Sequence, residues 1–120
     1  MKVIYLNVSK THAEMLDISD ELEELQRLVG GYIEIVQRRI GGSKKRYCIV
    51  CDDEGLLKDD PKVSAVFSLF RPMLVGNLII CGPANGDELT GLSEEDLKHI
   101  EQYVLPAGYF SNPVLTCVDF

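Results

Sequence analysis

Tryptophan is absent from this 120-residue chain, histidine occurs only at positions 12 and 99, and aromatic residues make up 8% of it. Nucleophilic catalysis of the Ser-His-Asp or Cys-His kind needs a base within hydrogen-bond reach of its nucleophile. Neither His12 nor His99 stands in a context that announces one. No G-x-x-x-x-G-K-S/T or G-x-G-x-x-G phosphate loop occurs. Long apolar runs are missing too. Met73-Leu74-Val75 and Leu78-Ile79-Ile80-Cys81 fall far short of the roughly 20 residues that span a bilayer. The apolar run Val3-Ile4-Tyr5-Leu6 is too short for the core of a signal peptide. The expectation is a cytoplasmic, non-enzymatic protein with no catalytic residue, cofactor, metal site or membrane contact.

Cations are the minority charge, 12 Lys and Arg against 19 Asp and Glu, for a formal net charge of -7. Non-specific duplex binding needs a broad basic footprint, so bulk duplex nucleic acid is excluded as a partner. Four cysteines are present, including one C-x-x-C at Cys48 and Cys51. A structural zinc site wants two close pairs on tight turns. Here the intervening Ile49-Val50 is strand-like, and residues three apart on a strand point to opposite faces. Cys48, Cys51, Cys81 and Cys117 are therefore read as reduced, mostly core thiols.

What is present fits one α+β domain over residues 1–120, since two-thirds of the surface of a chain this long is buried on folding. Residues 2–8 read as a strand. Ser19 suits a helix N-cap, followed by Asp20 and Glu21 in the first turn and an apolar stripe of Ile18, Leu22, Leu25, Leu28 and Val29. Gly30-Gly31 ends that helix with a residue able to adopt the left-handed conformation. Residues 32–40 and 46–51 form a hairpin around Gly41-Gly42-Ser43-Lys44-Lys45, closed by the acidic turn Asp52-Asp53-Glu54-Gly55. Together with Asp59 and Asp60 that turn lacks the EF-hand spacing, so it is a solvated turn.

Val63, Val66, Phe67 and Phe70 suit a short helix, with a strand as the alternative. Residues 73–81 form a strand with a bulge at Gly76-Asn77. Ser93-Glu94-Glu95-Asp96 resembles a capping box opening a second helix with Leu97, Ile100, Tyr103 and Val104 on one face, ended by Pro106 and Gly108. Residues 114–120 form a last strand. The order β-α-β-β-(α)-β-α-β predicts an antiparallel or mixed sheet with two to three helices packed on one face.

The block Leu25-Gln26-x-x-Val29-Gly30-Gly31-x-Ile33-Glu34, the acidic turn ending in Gly55, Gly76-x-x-Ile79-Ile80-x-Gly82 and Leu92-Ser93-Glu94-Glu95 together resemble domain of unknown function 3846 over residues 1–104, with 105–120 as a C-terminal extension. The resemblance implies a small protein of bacteria, bacteriophages or mobile elements and carries no activity with it. After Pro61 the chain departs from the family pattern, with Lys62-Val63-Ser64-Ala65-Val66 in place of Asn-containing sequence. The setting points to host-directed roles such as antagonism of host defence.

Arg38, Arg39, Lys44, Lys45 and Arg46 crowd around the predicted hairpin loop. Guanidinium groups bind phosphate bidentately. The first expectation is thus a module that sequesters a nucleotide-like or other anionic ligand, using these residues with Arg71, and with Arg39 and Arg46 facing each other across the hairpin. The second is an acidic interaction or nucleic-acid-mimic module whose helix acids, Asp20, Glu21, Glu23, Glu24, Glu94, Glu95, Asp96 and Glu101, meet a basic host protein. A homodimer is compatible with either.

Overall fold

Leu25, Leu28 and Val29, the centre of the predicted helical stripe, are all buried, on a helix that spans Leu22–Val29 (α1). The helix starts later than Ser19. Its N-cap is Glu21, which makes no side-chain cap bond, and Ser19 Oγ only accepts a long 3.4 Å bond from the Glu21 amide. Leu22, in the first turn, is 57% exposed and leaves the stripe. The stop is as expected: Gly30 adopts φ 89°, and the amides of Gly30 and Gly31 both donate to Gln26 O. An L-residue is strained at that φ, so glycine is needed there.

The structure, a computed structural model, describes residues 1–57, 60–67, 71–108 and 111–120. Asp59 and Phe70 lie outside them. The remaining elements are the strands β1 (Lys2–Leu6), β2 (Glu14–Asp17), β3 (Ile33–Ile40), β4 (Tyr47–Asp52), β5 (Val63–Val66), β6 (Pro72–Val75), β7 (Leu78–Pro83), β8 (Val104–Leu105), β9 (Val114–Leu115) and β10 (Val118–Asp119), with helix α2 (Glu94–Glu101) and a short 3-10 turn at Gly55–Leu57.

Six strands form one sheet in the order β10-β3-β4-β7-β1-β2, every neighbouring pair antiparallel. Its central strands are continuous apolar runs because both faces are covered. Val3, Tyr5, Cys48, Val50, Ile79 and Cys81 pack under α1. Ile4, Leu6, Ile49, Cys51, Leu78 and Ile80 face α2 and the second sheet through Leu97, Ile100, Ala65 and Leu115. The helices thus lie on opposite faces of the sheet and not on one. Strand alternation sends Cys48 and Cys51 into different cores, as their spacing predicts.

The second sheet, β6-β5-β9-β8, explains three further differences. Residues 63–66 are strand, because Ala65 pairs with Leu115 in a parallel bridge and Val63 with Val75. Residues 73–81 do not bulge within one strand. Gly76, at φ 80°, carries the chain from β6 in the second sheet to β7 in the first. The tail divides likewise at Cys117, φ 57°, into β9 and β10. Strand β2 has no counterpart in the sequence reading, and β8 takes Val104 out of the predicted second helix, which ends at Glu101 well before Pro106 because Val104 and Leu105 pair with β9. Among the described residues no helix is long and apolar enough to cross a membrane.

Candidate functional site

The predicted cations do sit around the β3–β4 hairpin, but most of them have intramolecular work. Gly41 and Gly42 adopt φ 61° and 73° and the Ser43 amide donates to Ile40 O at 3.2 Å, the geometry of a type I′ turn. A Cβ on Gly41 would collide with the Tyr103 ring, so glycine is required there for closeness as well as for φ. Beyond the turn, Lys45 Nζ reaches Asp96 Oδ1 at 3.1 Å, 51 residues further along the chain.

Asp96 is the hub of this end. It is buried at 5% exposure, accepts from the Tyr47 hydroxyl at 2.9 Å on Oδ1 and from the Ser93 amide at 3.1 Å on Oδ2, while Ser93 Oγ accepts from the Asp96 amide. Burial alone would raise its carboxyl pKa. Hydrogen bonds from Ser93, Lys45 and Tyr47 outweigh that and hold it down at about 2. Burial, and donation to Asp96, push the Tyr47 hydroxyl up to about 12. His99 Nε2 lies 2.7 Å from Ile40 O, a second tie between hairpin and α2, while His12 Nδ1 lies 3.0 Å from Thr11 Oγ1. Of the helix acids read as a candidate interaction face, Asp96 is thus buried and engaged within the fold.

Arg38 and Arg39 point to opposite faces of β3. The Arg38 guanidinium carbon stacks 4.4 Å from the Phe120 ring centroid, Nη1 donates to Gln37 O, and Nε is buried with no hydrogen-bond partner among the described residues. Arg39 Nε donates to Phe120 O at 3.1 Å. The β3–β4 ladder ends at Arg38–Tyr47, one step short of the expected Arg39–Arg46 pair, and Arg39 is opposite Asp119 of β10 instead. Lys44 and Arg46 are exposed and make no ion pair among the described residues. Arg71 stands apart, at the start of β6, its carbonyl accepting from the Phe67 amide.

None of these six cations lines either of two surface cavities. The first, about 600 Å³, lies between the far end of the β3–β4 pair and β6, with Met73, Leu74 and Val75 as its apolar wall and Glu34, Asp53 and Glu54 at its rim. Cys51 lies at its base, its Sγ donating to Glu34 O at 3.5 Å. Burial, then the Glu34 and Asp52 carboxylates, push this thiol up to about 11, so it is neutral and a poor nucleophile. Asp52 Oδ1 accepts from the Glu54 amide at 2.9 Å, which shapes the acidic turn. Gly55 lets that turn approach β6, since a Cβ there would stand 2.9 Å from Val75 Cγ2. The second cavity, about 270 Å³, is walled by Ile4, Met15, Leu97 and Val104, with Glu14, Glu101 and His12 also lining it.

Both cavities thus pair apolar walls with carboxylates. Neither was visible as a site in the sequence, although the acidic turn and the Met73-Leu74-Val75 run that make the first were. No curated protein and no solved structure matches the chain. Residues 1–105 match the family model described as a domain of unknown function (DUF3846). The covered span includes α1, its glycine stop, the hairpin, the acidic turn and α2. The chain belongs to the DUF3846 family.

Proposed function

We propose that the chain is a non-enzymatic interaction module that takes a basic, partly apolar segment of a partner protein at the cavity between β3–β4 and β6. One observation carries this reading: an apolar wall of Met73, Leu74 and Val75 stands beside carboxylates of Glu34, Asp53 and Glu54, a match for the methylene stem and charged head of Lys or Arg. The net charge of -7 steers a cationic partner toward the molecule. In the phage or mobile-element setting that the family resemblance implies, that partner is a host protein. The test uses a fluorescein-labelled eight-residue peptide of alternating lysine and valine. The wild type binds it with an affinity that falls as salt rises, and the double change Asp53→Lys, Glu54→Lys weakens binding at least about tenfold, or 1.4 kcal/mol. An unaltered affinity in that variant removes the cavity from consideration.

Lys44 and Arg46 favour a second reading, an anionic or nucleotide-like ligand at the hairpin, because both are exposed and without ion pairs among the described residues. Stabilisation of the fold by phosphate or a nucleotide, abolished by Lys44→Gln with Arg46→Gln, would establish it.

A further inference from the structure

We infer that the partner segment is an extended strand that adds to the open edge of β3, with its basic side chains reaching over the cavity rim; the inference rests on the cavity reading proposed above. The Tyr32 carbonyl accepts from the Asp53 amide, and the Gly41 amide donates in the other direction, to Cys117 O. Backbone groups alternate along an antiparallel strand, so even-numbered residues of β3 bond β4 and odd-numbered ones point outward. Strand β10 covers only Arg39 and Ile40. The outward N–H and C=O groups of Ile33 and Ile35, and the Gln37 N–H, have no partner strand among the described residues, while the Gln37 C=O already accepts from Arg38 Nη1 at 2.8 Å.

Edge strands are commonly blunted by Pro, Lys, a bulge or a covering segment. Between Ile33 and Gln37 there is no Pro and no Lys, the pairing with β4 is regular, and Ile35 is 46% exposed. Glu34, which lines the cavity, sits on this same strand. A strand added at the usual spacing of about 4.8 Å brings every second side chain onto Glu34's face. A Lys there reaches the carboxylates, and an apolar residue on the other face meets Ile35. Two independent features, a backbone edge without a partner strand among the described residues and an acid-rimmed cavity, so converge on one occupant of alternating basic and apolar character.

Geometry makes the test specific. In the added antiparallel strand the valines lie opposite Ile33, Ile35 and Gln37 and turn their amides toward β3, while the lysine amides turn away. The labelled lysine–valine peptide N-methylated at its valines is expected to lose at least tenfold in affinity for the full-length protein. The same peptide N-methylated at its lysines retains it. Ile35→Pro, which removes an outward donor and leaves the β4 ladder intact, is expected to cause a similar loss. If that variant fails to fold, the two methylated peptides against the wild type decide alone. Equal affinities for the two overturn the strand, while a loss of binding in Asp53→Lys, Glu54→Lys still upholds the cavity. Absence of binding to the wild type overturns both. A wild-type dimer that Ile35→Pro converts to monomer assigns the edge to a second copy of this chain and overturns the inference.

Discussion

The hairpin tip and the acidic turn at its opposite end are both densely charged, yet they treat charge in opposite ways. At the tip, Lys45 is paired with a buried carboxylate, Arg38 lies against an aromatic ring and Arg39 holds a backbone carbonyl. At the other end, Glu34, Asp53 and Glu54 surround a cavity with an apolar wall and make no ion pair among the described residues. Clustered charge in a sequence therefore does not locate a binding surface. What distinguishes the two ends is whether the fold itself already supplies the counter-charge or stacking partner.

The comparison breaks most plainly at Asp96. Asp96→Ala removes the acceptor of Tyr47 and Lys45 and half of the capping box, leaving the buried Tyr47 O–H without its acceptor, and is expected to cost about 3 kcal/mol in denaturant unfolding. Lys45→Met, by contrast, removes a cation that is 53% exposed, and is expected to cost under about 1 kcal/mol. If the two losses are equal, the ion pair and not the hydrogen-bonded hub holds the hairpin on α2.

Acid sharpens the same point. The Asp96 carboxyl has its folded pKa lowered from 3.8 to about 2, so its stabilisation is complete above the unfolded value and is lost as pH falls from about 4 toward 2. Its contribution to that loss is about 2 kcal/mol. Urea melts across this range are expected to show the decline in the wild type and a correspondingly flatter profile in Asp96→Asn. Identical profiles would place the shifted group elsewhere.

These effects mark where sequence reading succeeds. The α1 stripe and the divergence of Cys48 from Cys51 follow from the local periods of 3.6 and 2 residues, which need no knowledge of distant chain. The capping box at Ser93 was legible for the same reason. The link from Asp96 to Lys45 and Tyr47 was not, because it spans 51 and 49 residues and has no periodic signature. Likewise Arg38 and Arg39 are visible as a pair, but Phe120, which occupies both, is at the far end of the chain. Strand β2 escaped because Glu14-Met15-Leu16-Asp17 is an exposed edge with no polar-apolar alternation. The division at Gly76 arises from a choice between two sheets, which is tertiary. The cavity shares that fate: its wall and its acidic turn are separated by about twenty residues and meet only once β6 folds back, so the sequence shows its parts without their juxtaposition.

The smallest expected effect is the most discriminating, because it is a stability that should not fall. Asp53 and Glu54 stand across the cavity rim from Glu34, so three carboxylates share one region and make no ion pair among the described residues. Neighbouring like charges repel, and exposed side chains outside hubs or cores change stability by only about 0.5 kcal/mol either way. Asp53→Asn combined with Glu54→Gln is therefore expected to leave stability unaltered or raise it by a few tenths of a kcal/mol, most visibly at low salt. Denaturant melts at two ionic strengths measure this. A rim with a structural role like that of Asp96 would instead lose more than about 1 kcal/mol on neutralisation. Mild repulsion in the free protein, relieved by a cationic segment, is the arrangement expected of a surface maintained for a partner and not for the fold.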